Sequence, residues 1–276
     1  MPNLRIIHAN YADQATSLSA STTSGSLAAA NMQTDRKGEV HRSTGTSVTY
    51  TATWTAGVSI GAVALPATNL SAAATIRARL YSNTACTALL QDSGTITACP
   101  GLAAAPWTWT ATFNANAFAY GYLSKAVAWF AANQAGVKGL KVDLSDAGNA
   151  AGYIDCARLV AGPWWAPEWN AEYGSTLLYQ DTTTNTRTDA GDLASDRAPM
   201  HQELTFSLPI LPEADRAALA AVMRANGVWC PVFVSLLPSA ASAAEQDTMI
   251  YGKRKNSPFD LAGFDRYTNN ITIEGW

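Results

Sequence analysis

Ser47-Val48-Thr49-Tyr50-Thr51-Ala52-Thr53-Trp54 alternates without a break. Val48, Tyr50, Ala52 and Trp54 fall on one face and Ser47, Thr49, Thr51 and Thr53 on the other. A period of two is that of a strand with one buried face. The pattern recurs downstream. Ala74–Ser82 sets Ile76, Ala78 and Leu80 against Arg77, Arg79 and Tyr81. Trp107–Phe113 sets Trp107, Trp109, Ala111 and Phe113 against three threonines. Leu140–Leu144 sets Leu140, Val142 and Leu144 against Lys141 and Asp143. Ser, Asn, Gly and Pro clusters separate these runs, as turns require. Ser124–Gln134 has the alanine content of a helix, but Gly121 and Gly136 bracket it, and Val127–Phe130 reads as a short strand. Many strands with almost no amphipathic helix predict a mainly β chain that opens with a β-sandwich or jelly roll.

Gly162-Pro163-Trp164-Trp165-Ala166-Pro167-Glu168-Trp169-Asn170 breaks the pattern. Two prolines forbid a continuous helix or central strand. The expected division is therefore a jelly roll over 1–165 and a smaller α+β domain over 166–276. Clustered tryptophans are a liability in water, so Trp164, Trp165 and Trp169, with Trp276, are candidate interface residues, between subunits or between domains. In the second part, Gly174–Asp181, Gln202–Leu208, Met249–Lys255 and Tyr267–Glu274 read as strands. Val228–Leu237 reads as a buried strand with a bulge at Pro231, and Pro238–Gln246 as a loop. One helix is predicted, Glu213–Asn226. Pro212 suits its start, Glu213 and Asp215 suit the positive end, Gly227 suits the residue past its C-terminus, and Leu219, Val222 and Met223 form its apolar stripe.

The 276 residues suffice for two domains. The chain is 48% hydrophobic and 14% charged, with a formal net charge of -3, which argues against disorder and against a nucleic-acid partner. Lys253-Arg254-Lys255 is too short a basic run to be more than a solvated strand end. Met1–Gln14 lacks a signal-peptide core, and no apolar run spans a bilayer, so a soluble protein made in a cytoplasm is expected, with no membrane insertion. The four cysteines fit no zinc spacing and the three histidines are scattered. Cys156 and Cys230 lie in apolar runs and read as core residues. Cys86 and Cys99 could close a loop if their strands are neighbours, though a reducing compartment argues against it. No metal or cofactor is expected.

Two stretches resemble known phage proteins. Ser17-Leu18-Ser19-Ala20-Ser21, Ala29-Ala30-Asn31, Thr34-Asp35, Arg42-Ser43-Thr44, Ile60–Leu65, Asn69-Leu70-Ser71 and Thr75–Arg79 follow in the order seen in discoidin-like (coagulation factor 5/8 C, galactose-binding-like) jelly rolls of phage structural proteins. The family often places Trp where His41 stands here. Gln202–Trp276 resembles the terminal domain of phage tail-tip and distal-tail proteins: a strand, a helix after Pro212-Glu213, the Pro231-Val232-Phe233-Val234 strand and a Tyr251-Gly252 strand. The resemblance implies a structural component of a bacteriophage tail tip or baseplate. It implies a place in the virion, with other tail proteins and copies of itself as partners. The alternative it leaves open is a carbohydrate-binding adhesin or receptor-binding protein that contacts a host-surface glycan.

The loop Asn31–Arg42 is the candidate glycan site, through Asp35, Arg36, His41 and Arg42, with Lys37 beside them, because loops on a rigid scaffold carry binding. A solvated loop or a subunit contact is the competing reading. Arg77 and Arg79 carry the same ambiguity. Asp35 and Glu39 could serve calcium, but two acids fall short of the six to eight oxygens it takes. No catalytic residue is expected. Gly57-Val58-Ser59-Ile60-Gly61 matches the nucleophile elbow, yet the run after it reads as a strand ending at Pro66, where the motif needs a helix. Asp143, Asp146 and Asp155 read as turn caps rather than a glycosidase pair.

Overall fold

The computed structural model of the chain describes residues 2–100, 124–196, 198–240, 242–263 and 266–276. The strand expected over Trp107–Phe113 lies outside them. The described chain is mainly β, built on a nine-stranded and an eight-stranded sheet. β1 is Arg5–Ile7, β2 Ser17–Ala20, β3 His41–Arg42, β4 Ser47–Thr68, β5 Thr75–Tyr81, β6 Leu89–Asp92 and β7 Ile96–Thr97. β8 is Ser124–Ser145, β9 Asp155–Cys156 and β10 Val160–Gly162.

The stretches read by alternation are neighbours in register. Val48, Tyr50 and Ala52 of β4 face Leu144, Val142 and Leu140 of β8, which in turn face Ile76, Ala78 and Leu80 of β5. All nine side chains are buried in one cluster. Each large one contributes roughly 1.5–3 kcal/mol by leaving water. β4 and β8 are each 22 residues long and do more than the alternation shows. Their register slips between Thr53 and Ala62, and bulges of this kind bend a strand. At the bend Gly57 lies backbone to backbone with Gly136: a Cβ on Gly57 would stand 3.0 Å from Gly136 Cα, and Gly136 has φ +74°. Beyond the bend Ile60, Val63 and Leu65 return over the same core, so the sheet closes into a sandwich.

From Ile60 to Thr68 every residue of β4 is buried. Val63 and Leu65 face the sandwich core, while Ala62 and Ala64 face Phe233, Met249 and Tyr251 of the other sheet. Small side chains on that face let the two sheets meet.

The second sheet contains β11 Trp164–Trp165, β12 Thr176–Asp181, β15 Met200–Leu211, β16 Val232–Ser235, β17 Met249–Arg254, β18 Phe259–Gly263 and β19 Arg266–Gly275; β13 Thr184–Arg187 and β14 Leu193–Asp196 form a separate hairpin. Its order is β11-β1-β16-β17-β19-β15-β12, with β18 on β19. β1, from the start of the chain, thus lies between β11 and β16 in the sheet otherwise built from residues after 163. Helix α1 spans Glu213–Asn226, as the capping residues predict; Gly227 takes φ +56° and donates to Met223 O. Leu219 sits in the core beside Phe206, Leu208 and Ile271.

Two expectations are corrected. The loop expected over Pro238–Gln246 contains the start of a second helix, α2, Ala243–Thr248. Its Ala-Ala-Glu-Gln start is helix-forming, and Glu245 and Gln246 are buried. The strand expected over Val228–Leu237 is only Val232–Ser235. The helix ends in a turn over 227–229, Val228 and Trp229 are 44% and 73% exposed, and Cys230 is half-buried outside any strand. Cys86 and Cys99 are free thiols, as are Cys156 and Cys230.

Candidate ligand cleft at the seam between the sheets

The Asn31–Arg42 loop is clamped against the second sheet. Asp35 accepts from Tyr251 Oη at 3.3 Å, its carboxylate lies 3.4 Å from Lys253 Nζ, and its backbone oxygen accepts from Trp276 Nε1 at 3.3 Å. Arg158, only 2% exposed, extends this network: it donates to Tyr251 Oη at 2.9 Å and to Asp13 Oδ2 at 2.6 Å. Arg36 projects into solvent and pairs with Glu39 at 2.8 Å. Arg42 makes a two-point contact with Asp155, 2.8 Å each, and its guanidinium stacks 4.0 Å over Tyr153.

His41 is not a surface residue. It is fully buried, Nε2 donates to Thr22 O at 2.9 Å, and Tyr50 Oη donates to Nδ1 at 2.9 Å. Burial lowers its pKa, which keeps the ring neutral, and raises that of Tyr50. The four residues proposed for glycan contact therefore do not converge. His41 is core, Arg42 and Asp35 hold the loop in place, and only Arg36, paired with Glu39, faces outward. No group of three metal-ligating side chains occurs among the described residues, so Asp35 and Glu39 gain no further ligand.

The other candidates also have internal partners. Arg77 pairs with Asp92, and Arg79 with Asp143, which accepts from Thr49 as well. Asp146 accepts from the backbone and hydroxyl of Ser71, a cap. Asp155 belongs to Arg42. Ser59 sits in the middle of β4 and lacks the strand-to-helix turn of a nucleophile elbow.

Three of the four tryptophans pack within the chain. Trp164 and Trp276 lie on the seam cluster, and Trp165 lies on the second core. Trp164 N donates to Asn133 Oδ1, and Asn133 Nδ2 donates to Trp164 O, both at 2.9 Å, so one amide side chain imitates a strand partner. Arg5 stacks 4.2 Å from the Trp164 ring. Trp169 is 53% exposed.

Where the loop, β8 and the second sheet meet, a cleft of about 130 Å³ opens, lined by Lys37, Lys125, Tyr179, His201, Gln202 and Trp276, with Pro66, Met200 and Ile250 as apolar wall. Lys125 is 6% exposed. Its Nζ donates to Gln202 Oε1 and Met249 O, both at 2.6 Å, and to Gln246 O at 3.2 Å. The Gln246 amide closes the grip by pairing with both backbone groups of Lys125, at 3.1 and 2.7 Å. Burial pulls the Lys125 pKa down to about 7. Lys37 is also pulled down by burial and makes no ion pair among the described residues. Gln202 Nε2 is buried beside the Tyr179 hydroxyl. His201 stands 3.6 Å from Glu274. Trp276 packs edge-on against Tyr251 with centroids 5.4 Å apart. Cationic and amide donors beside aromatic rings suit an oxygen-rich ligand that carries a negative charge. Lys37 belongs to the loop chosen from sequence; Lys125, Tyr179 and Gln202 carried no local signal, because segments far apart in the chain bring them together.

No family model and no curated protein matches the chain. Several solved structures share a loose likeness. A fucose-binding module of Streptococcus pneumoniae is 10% identical over 56% of this chain and 95% of its own, with a TM-score of 0.37. The family 32 carbohydrate-binding module of NanJ from C. perfringens, solved with galactose, is 10% identical over 58% and 99%, with a TM-score of 0.38. The lectin domain of lectinolysin, solved with Lewis B antigen, is 13% identical over 56% and 96%, with a TM-score of 0.37. Nothing in these comparisons indicates a phage tail-tip protein. At this level of likeness the architecture rests on the strand pairing itself.

Proposed function

We propose that the chain is a non-catalytic carbohydrate-binding protein whose seam cleft takes the carboxylate end of an acidic sugar. The observation that carries this reading is Lys37, without an ion pair among the described residues, beside the Gln202 amide and the Trp276 ring in one cleft. The absence of catalysis is supported by the acids considered above, each already bonded to an arginine or a cap. Titration of the full chain with glucuronic, galacturonic and N-acetylneuraminic acid, against neutral galactose, tests it by calorimetry or NMR. An acidic sugar is expected to bind at millimolar concentration or better. Lys37→Ala is expected to weaken it about 10-fold, the worth of one charge-assisted hydrogen bond of roughly 1.5 kcal/mol. Trp276→Ala is expected to weaken it similarly. Binding of none of these sugars, or turnover of a polysaccharide, would sink the reading.

A second reading, a structural component of a phage tail tip or baseplate carried in the virion, rests on the sequence resemblance; the edge of β12, open among the described residues, would be free for a neighbouring subunit. Mass spectrometry of purified virions tests it, and absence of the chain from the particle removes it.

A further inference from the structure

The second sheet ends in an arm. β12 pairs with β15 on one side only, and its other edge is open among the described residues. Beyond it, β13 and β14 pair only with each other, and all eight of their residues are exposed. A lone two-stranded hairpin is marginal in water. The arm and its base nonetheless expose Leu178, Tyr179, Leu193 and Met200 at 43–60%. Edge strands normally carry protection against pairing, and this one carries leucine and tyrosine. The segment 176–197 holds four aspartates against two arginines, and Asp189, Asp192 and Asp196 make no ion pair among the described residues.

The opposite character occurs in a groove beside α1. Between α1 and the start of β18, a groove of about 600 Å³ is lined by Arg216, Arg224 and Arg254, with Met223, Pro258 and Phe259 as its apolar part. Glu213 engages Arg216. Arg224 and Arg254 have no carboxylate partner among the described residues, and burial lowers the pKa of Arg254. The groove thus matches the arm in charge and in its mixture of apolar and charged groups.

We propose that the arm of one copy docks in the arginine groove of the next, giving head-to-tail self-association of this chain. The contact joins two different surfaces, so it closes into a ring where the rotation permits and otherwise extends as a filament. The inference goes beyond sugar binding and does not depend on it.

Sedimentation of the full chain from 1 to 200 µM at low salt, with no sugar present, tests it. Higher-order species are expected, and about 0.5 M salt is expected to reduce them, because exposed charge pairs are screened. D189R/D192R and R224E are each expected to weaken assembly about 10-fold with an unchanged thermal melt. The triple variant carries both reversals in every copy, so the carboxylate of R224E meets the arginines of D189R/D192R while Arg254 keeps its charge, and it is expected to recover assembly in part over either parent variant. Lys37→Ala should leave assembly intact while sugar binding falls, which separates the two proposals. A wild-type chain that stays monomeric throughout, or oligomers indifferent to both reversals, would overturn the proposal; so would assembly lost in each variant but not recovered in the triple.

Discussion

Lys125→Met is expected to destabilise the chain by about 2 kcal/mol at about pH 8.5, where the amine is neutral, the scale for leaving buried acceptors without a donor. Methionine keeps most of the side-chain volume, so the cavity contribution is small. What is lost is the donor. Gln202 Oε1, Met249 O and Gln246 O all face one buried nitrogen, whose neutral amine supplies two hydrogens where methionine supplies none. These oxygens belong to β15, β17 and α2, so the change loosens three elements from β8 together. Urea unfolding checks the magnitude. The same residue makes a pH signature. In the unfolded chain the amine titrates near 10.4, whereas burial holds it at about 7 in the folded one. Between those values the unfolded state binds more protons, so stability rises with pH and is lost as pH falls toward 7. The slope approaches about 1.4 kcal/mol per pH unit above the folded value. The useful window is pH 7–8.5. Above it Cys99 and Cys156, pushed up to about 12 by burial, begin to act with the opposite sign, since their unfolded thiols ionise first. Wild type is expected to gain stability across the window and Lys125→Met to stay flat. Equal slopes for the two proteins would contradict this account.

Gly162→Ala is the second large effect. A Cβ on Gly162 would stand 1.8 Å from Ala9 O, a backbone atom with no rotamer to yield. Ala9 is held in place by its neighbour. Asn10 Oδ1 accepts from Ala161 N at 2.9 Å, and Asn10 Nδ2 donates to Leu159 O at 3.0 Å. Relief therefore means displacing the Asn10 clamp and, with it, Ile7 from the seam cluster. The expected loss is about 3 kcal/mol, the upper end for overpacking. Gly148→Ala is the control: nothing lies within 4 Å of its Cβ position, and a change within about 0.5 kcal/mol is expected. Parallel denaturant titrations decide it, and similar losses in both variants would remove the steric argument.

Legibility from sequence followed the number of faces a segment buries. Ser47–Trp54, Ala74–Ser82 and Leu140–Leu144 each have one wet face, so their alternation marked strand and face, while their pairing is seen only in the fold. Helix α1 was legible to its ends because Pro212 and Gly227 act locally. The second half of β4 gave a weaker signal, since Ala62 and Ala64 are buried against the other sheet as firmly as Val63 and Leu65 are in their own. β1 is three residues long, too short for any period. The candidate site was legible least. Asp35, His41 and Arg42 have the chemistry of a sugar contact, but their partners Tyr251, Tyr50 and Asp155 lie elsewhere in the chain, and no local pattern says that a loop is covered. Lys125 reads as an ordinary lysine until Gln246 and Met249 close over it.

The position of β1 bears on the order in which a newly made chain can mature. Ile6 pairs with Val234, so the two partners leave the ribosome roughly 230 positions apart, and contacts so distant form late. The sandwich residues that pair among themselves can settle while synthesis continues. Residues 5–7 can meet Trp164 and Trp165 earlier, but their other flank stays unfilled until β16 is made. During that interval Leu4, Ile6 and Ile7 are sticky and uncovered, so a holding chaperone that grips the leading segment should raise the yield of correctly finished molecules.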